Sequence, residues 1–143
     1  MEQKDNEIIR LLRMGKRVNI SAIARELKIP ISTVADRIRK IDERYVMKRA
    51  SLLDYPKLGY TSNQMIAIKI EPKLKSSLLD FLKNENCVNA IYCINSDFSF
   101  LVEVVCRNHF EFINWLENAK SRFPFQADMF HILKVEEKEK FVP

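Results

Sequence analysis

The spacing of the apolar residues changes part-way along the chain, and this change limits the fold more than any other feature. Up to residue 44 the apolar residues recur at the three- and four-residue intervals of amphipathic helices. From residue 64 onward, alternating segments typical of half-buried strands take turns with further helical segments. We therefore predict two small domains of different class, which is also the most that 143 residues allow.

The first part of the chain predicts three short helices. They fall at about 5–14, 20–27 and 31–44, with Gly15 ending the first helix and Asn19 capping the second. The short break before the third helix is typical of a helix-turn-helix. The next segment, 45–53, alternates in part, so we expect a short strand or wing there.

Residues 53–60 collect Asp, Pro and Gly, which predicts a linker. Beyond it we predict, in order, strand 64–70, helix 73–84, strands 88–94 and 98–106, helix 108–122 and strand 129–135. This βαββαβ order is that of a ferredoxin-like domain, an antiparallel sheet with both helices on one face. The predicted fold class is α+β, with a helix-turn-helix domain at 1–52, a linker at 53–61 and a ferredoxin-like domain at 62–143.

The face of that sheet opposite the helices is predicted to be apolar. The alternation places on it Ala67, Leu101, Val105, Phe130 and Ile132. An apolar sheet face without a helix over it needs another cover, and a second copy of the chain is the simplest one. We therefore expect the chain to be a homodimer.

The positive charge is concentrated at the start of the chain. Residues 1–50 contain 13 Lys and Arg against 7 Asp and Glu, a balance of +6, and the remaining residues balance to −1. A basic domain joined to a near-neutral one favours a polyanion as the partner of the first. A solvated surface rich in lysine and arginine is the alternative that charge alone leaves open.

Composition also argues against several kinds of function. With only two glycines, the chain lacks the glycine-rich loops that bind phosphates and dinucleotides. Two histidines and three cysteines without a C-x-x-C pair offer no metal or disulfide framework, so we expect no cofactor, no metal and no enzyme activity. The longest apolar run, Ala90–Ile94, is too short to span a bilayer, and the start shows no secretory signal. A cytoplasmic location is predicted.

Several short strings, taken in order, resemble one known family. They are DNEII at 5–9, GKRVN at 15–19, IAREL at 23–27, STVADRI at 32–38 and LDYPKLG at 53–59. Together they resemble the leucine-responsive/AsnC (feast/famine) transcriptional regulators, over about Asp5–Lys138. The resemblance implies a winged helix-turn-helix, a dimer built through the C-terminal sheets that often assembles further into tetramers or octamers, and sequence-specific binding to double-stranded promoter DNA.

The resemblance also implies an amino-acid effector site near the turn between the second and third strands. The family has G-D-F-D in this turn, and this chain has Ser96, Asp97, Phe98 and Ser99. A side chain in place of the glycine narrows the approach of a ligand, and the lost second carboxylate removes a partner for an amino group. An amino acid, a small effector of another kind, or no effector are therefore all left open. Lys28 and Tyr45 also stand where the family often has glycine.

The third helix supplies the residues predicted to read bases, because the N-terminal part of a recognition helix enters the major groove. These are Ser32, Thr33, Asp36 and Arg37, with Lys40 a turn later. Arg37 can donate two bonds to guanine, and an ion pair with Asp42 or Glu43 is the alternative. Asp36 repels phosphate, so we predict that it either reads cytosine or pairs with another side chain of the protein. The candidates for positioning phosphates are Arg17, Ser21, Arg25, Lys28, Lys48 and Arg49.

Two other functions remain as alternatives. Some tetrapyrrole decarboxylases resemble this two-part architecture, so the fold does not decide the function. Such an enzyme needs basic residues in the C-terminal domain, whereas this chain keeps its positive charge in the N-terminal one. A sequence-independent protein that compacts DNA is the second alternative.

Overall fold

The computed structural model describes residues 3–14 and 19–141. Its contacts divide the chain into two compact units. Unit 1 consists of residues 1–52 together with 137–143, and unit 2 consists of residues 53–136. The division after residue 52 is where the sequence predicts the linker to begin. Residues 137–143 were predicted to belong to the ferredoxin-like domain, but they cluster with the helix-turn-helix unit.

The described residues of unit 1 form three helices, as predicted. They are α1 (Gln3–Arg13), α2 (Ile20–Leu27) and α3 (Ile31–Tyr45). Their inward faces meet in a small core that includes Ile8, Ile23 and Val34. Asn19 caps α2 as expected, since its side-chain oxygen accepts a hydrogen bond of 3.1 Å from the Ala22 amide. Gly15, the predicted end of the first helix, lies outside the described residues.

The strand or wing expected at 45–53 is absent from the structure. Tyr45 is the last residue of α3, and residues 46–53 have no regular secondary structure. A strand is stable only when its backbone groups pair with a neighbouring strand, and the described part of unit 1 supplies none. The partial alternation of the segment therefore had no structural consequence.

Unit 2 has the predicted ferredoxin-like order. Its main elements are β1 (Ser62–Lys69), α4 (Lys75–Asn84), β2 (Val88–Cys93), β3 (Phe100–Cys106), α5 (His109–Arg122) and β4 (Gln126–His131). The strands form one antiparallel sheet in the order β2-β3-β1-β4. One face packs on both helices around Ile66, Phe100 and Phe112, all fully buried. A 3-10 helix at Pro56–Leu58 lies within the predicted linker and ends at Gly59, whose φ of 84° is left-handed.

The last strand lies earlier in the chain than predicted. The sequence suggests 129–135 because Ile132, Leu133 and Val135 are apolar, but β4 ends at His131 and Leu133 is 89% exposed. Pairing with β1 decides the bounds, since Gln126 lies opposite Lys69 and His131 opposite Gln64. Backbone pairing thus outweighed side-chain composition.

The face of the sheet opposite the helices carries apolar residues as predicted, but it also carries Asn63 and the buried Glu103, and Asn63 donates a hydrogen bond to the Glu103 carboxylate. The register pairs Leu101 with Ala67, Val105 with Asn63 and Phe130 with Met65, which places these side chains on the face opposite the helices. Phe130 is 58% exposed.

Among the described residues, no helix combines the length and the apolar character needed to cross a membrane.

Candidate nucleic-acid interface

Helix α3 has an apolar side and a polar side, and the polar side is the candidate interface. Val34, Ile38 and Ile41 point into the unit 1 core. The opposite side of the helix carries the polar residues Ser32, Thr33, Asp36, Arg39, Lys40 and Glu43. The helical repeat of 3.6 residues separates these two sets, so burying one exposes the other. Of the predicted base readers, Ser32, Thr33, Asp36 and Lys40 therefore lie together on one surface.

Two cations flank a carboxylate on this surface. Asp36 accepts a hydrogen bond of 2.8 Å from Arg39 Nη2 through Oδ1, and Lys40 Nζ lies 2.9 Å from Oδ2. The Arg39 hydrogen bond, followed by that from Lys40, lowers the pKa of Asp36 to about 2. Asp36 in turn raises the pKa of Arg39. The three side chains, which we call the Asp36 triad, carry one net positive charge.

Arg37 lies at the edge of the polar side and turns toward α1. Its Nη1 donates a hydrogen bond of 2.6 Å to Asp5 Oδ1, and the two side chains are only 24% and 22% exposed. The sequence had suggested Asp42 or Glu43 as the intramolecular partner. Asp5 takes that place because Arg37 follows Val34 by three residues and precedes Ile41 by four, next to the buried stripe.

A charged groove runs between the start of α1 and the polar side of α3. Its lining residues are Asp5, Thr33, Asp36, Arg37, Lys40, Ile41, Arg44 and Tyr45. Three of these residues are basic and two are acidic. Both acidic residues are already paired with cations, whereas Arg44 forms no ion pair with any other described residue.

The predicted phosphate-positioning residues are not all in the same situation. Ser21, Arg25, Lys28 and Lys48 are exposed, and these three basic residues form no ion pair within residues 3–14 and 19–141. Arg49 differs, because it donates to Asp42 and is thereby held against α3. Arg17 falls outside the described residues.

Lys28 ends α2 in an unusual backbone conformation. Its φ of 52° is in the left-handed region, and its amide donates to the Ala24 carbonyl. The next amide, that of Ile29, also donates to Ala24, at 3.1 Å. This double closure is how a glycine normally ends a helix, so the turn forms here with a lysine.

Sequence reasoning missed two cations of this interface, Arg39 and Arg44. Both are exposed, and the first belongs to the Asp36 triad while the second lines the groove. Helical spacing from Val34 would have found Arg39, which lies five residues later, on the outward side. No local signal marks Arg44, since its place beside α1 depends on how the helices pack.

The predicted effector residues form the turn between β2 and β3 in unit 2. The Phe98 amide donates to Ser96 Oγ at 3.1 Å, and the Ser99 amide donates to the Ile68 carbonyl at 2.7 Å. Ser96 and Asp97 are exposed, whereas Phe98 and Ser99 are half-buried. The Asp97 carboxylate makes no hydrogen bond or ion pair with the described residues. Within residues 3–14 and 19–141, no group of three His, Cys, Asp or Glu side chains is placed so that it could hold a metal ion.

The fold and the site define a two-domain protein with a helix-turn-helix unit and a ferredoxin-like unit, and known proteins share this plan. No family model matches the chain. An uncharacterized HTH-type transcriptional regulator of Pyrococcus abyssi is 22% identical over 142 residues, 99% of this chain and 97% of the relative. AsnC of E. coli has a TM-score of 0.87 at 20% identity, with 100% of this chain and 99% of that chain covered.

A further solved structure, a Neisseria meningitidis transcriptional regulator in complex with L-Met, has a TM-score of 0.88 at 13% identity and covers 100% of this chain and 96% of that chain. These findings confirm the resemblance to the leucine-responsive/AsnC regulators, whose fold this chain has. They support a DNA-binding transcriptional regulator of that type and point away from an enzyme.

Proposed function

We propose that the chain binds double-stranded promoter DNA in a sequence-specific way, as a homodimer, with α3 in the major groove. The observation that carries this proposal is the polar side of α3, where the exposed Ser32, the half-buried Thr33 and the Asp36 triad lie together. An α-helix fits the major groove of B-DNA, and hydroxyl, guanidinium and ammonium groups are the donors that bases and phosphates accept from.

The Asp36 triad gives this surface selectivity. Asp36 keeps Arg39 and Lys40 in defined positions and cancels half of their charge. A carboxylate facing a duplex penalises every approach that does not place a donor, such as the cytosine amino group, against it. The triad thus favours base recognition over unspecific attraction to phosphate.

Arg37 has a positioning role in this proposal. Its guanidinium is bound to Asp5, and so ties the recognition helix to α1 and keeps its angle to the core fixed. Base contact falls to the residues further round the helix, on its exposed side. Ser21, Arg25, Lys28 and Lys48 are exposed and contact phosphates, which sets the register of the protein on the duplex. Arg17 and Arg49 remain predicted phosphate contacts.

The open sheet face of unit 2 joins two copies. Its apolar side chains include Met65, Leu101 and Phe130, and burying them removes apolar surface from water. A two-fold dimer offers two recognition helices to one duplex, and this predicts a palindromic site with half-sites about one helical turn apart. Larger assemblies, tetramers or octamers, are built from such dimers.

A small effector, such as an amino acid, acts through the turn at residues 96–99. The Asp97 carboxylate is exposed and makes no hydrogen bond with the described residues, so it can accept one from an amino group. A structural neighbour from Neisseria meningitidis is an L-Met complex, which supports an amino acid as the first class of ligand to test.

The experiment is selection of bound duplexes from a random pool, with and without a panel of amino acids. We expect an enriched palindromic motif, and a changed yield with one of the amino acids. Competition with bulk genomic DNA separates a site-specific regulator from a sequence-independent one. A pool that stays random after repeated rounds, despite salt-dependent binding, would overturn sequence specificity.

A further inference from the structure

The C-terminal end of α1 is bound to the last described residues of the chain. Arg13 makes four hydrogen bonds there, to the carbonyl of Phe141 (3.0 Å from Nε and 2.9 Å from Nη2), the carbonyl of Glu139 (3.0 Å) and the Glu139 carboxylate (3.2 Å). A guanidinium is planar and offers five donors, so one side chain can hold a peptide segment in this way. We call residues 137–141 the strap.

The conformation of the strap is specific. Glu139 has a φ of 56°, in the left-handed region that residues with a Cβ seldom adopt. This turn brings two carbonyl groups, those of Glu139 and Phe141, onto the same guanidinium. Four of the five residues of the strap are charged, and its contacts make it part of unit 1.

The helix that the strap holds is also the one that positions the recognition helix. Ile8 of α1 is fully buried in the core of unit 1, and Asp5 binds Arg37 of α3. Arg13 is in the last turn of the same helix, where a cation also interacts favourably with the helix dipole. A less ordered α1 therefore also disturbs the position of α3, because the two helices share the unit 1 core and the Asp5–Arg37 ion pair.

We propose that the strap is an interaction partner for α1 that keeps the DNA-binding unit in its binding-competent form. The DNA-binding unit is thus assembled from two segments that lie far apart in the sequence, since Arg13 and Phe141 are 128 residues apart. Removing the strap leaves the guanidinium of Arg13 in water and lets the end of α1 fray. The consequence for DNA affinity rests on the proposed function, while the consequence for helix order does not.

The test compares three variants of the full chain: truncation after Glu136, Arg13→Gln and Arg10→Gln. Arg10 is a matched control, because it lies one turn earlier on α1, is exposed and forms no side-chain hydrogen bond with the described residues. Both substitutions remove one positive charge from the same helix, so a pure charge effect is equal in the two. Only Arg13→Gln and the truncation release the strap.

The readouts are amide hydrogen exchange in α1 and affinity for a selected duplex. We expect truncation and Arg13→Gln to speed exchange in α1 by about tenfold, the size expected for losing a charged hydrogen-bond cluster at the surface, with exchange in α5 unchanged. DNA binding should weaken by a similar or smaller factor in these two variants, and by less in Arg10→Gln.

Two results would overturn the proposal. The first is equal exchange in α1 for Arg13→Gln and Arg10→Gln, and the second is a truncated chain whose α1 is as protected as in the full chain. If the truncated chain does not fold, the pair of arginine variants still decides the matter. Altered exchange without any DNA binding supports the strap and refutes the proposed function, so the two failures are distinguishable.

Discussion

The Asp36 triad makes a prediction about Asp36→Asn that runs against simple intuition. Asparagine has nearly the same shape as aspartate but no charge, so the substitution releases Arg39 and Lys40 without leaving a cavity. The net charge of these three positions then rises from one to two. We expect the variant to bind DNA more tightly and less selectively than the original chain.

The magnitude follows from counterion release. Each additional phosphate contact steepens the plot of log K against log salt by about 0.9, which corresponds to roughly eightfold tighter binding at about 0.1 M salt. Two released cations therefore add at most about 1.8 to the slope. The gain applies to every sequence, while a base contact made by Asp36 is lost, so the ratio of specific to unspecific affinity falls.

The measurement is fluorescence anisotropy with a selected duplex and a scrambled one, over a range of salt from about 0.05 to about 0.2 M. Asp54→Asn is the matched control, because Asp54 also pairs with an exposed lysine, Lys57, at 2.9 Å, but lies in unit 2. We expect this control to leave both affinities unchanged. If Asp36→Asn gives the same salt slope as the control, or weakens binding to the scrambled duplex, the triad does not restrain these cations as argued.

Four further outcomes are expected. The pKa of Asp36 is lowered to about 2, so its ion pairs are complete above the ordinary value of 3.8 and are lost as the pH falls toward about 2. The difference in DNA affinity between Asp36→Asn and the original chain should therefore stay constant between about pH 5 and about pH 8. A difference that changes with pH in this range would contradict the prediction. Arg37→Gln should destabilise unit 1 by about 1 kcal/mol and weaken DNA binding, without changing the base preferred at any single position of the site. If selection of bound duplexes showed a changed base preference at one position, Arg37 would be a base reader after all. Lys28→Gly should stabilise unit 1 by about 1 kcal/mol in urea unfolding, since glycine adopts the left-handed conformation freely, whereas Lys28→Ala should not. Phe130→Glu should yield monomers in analytical ultracentrifugation, while Phe110→Glu, at an exposed position on α5, should leave the dimer intact. Equal effects of the two substitutions would show that the sheet face is not the dimer interface.

Local sequence determined the elements and their order. The recurrence of Val34, Ile38 and Ile41 sets the inward side of α3, and alternation sets the two faces of β1 and β3. Periodicity of this kind needs only neighbouring residues and a choice between inside and outside. The order of the elements then leaves few topologies, and this is why the ferredoxin-like domain could be predicted before its contacts were known.

Tertiary structure decided the pairings that give the site its character. Arg37 and Asp5 are 32 residues apart, and Arg13 and Phe141 are 128 apart, so no local pattern connects either pair. The bounds of β4 likewise depended on β1, the strand with which it pairs. A charged side chain at the surface has several partners within reach, and the packing of the backbone selects among them. The sequence therefore determined which side of α3 faces outward, while the packing of α1 determined which cations of α3 pair with a residue of α1.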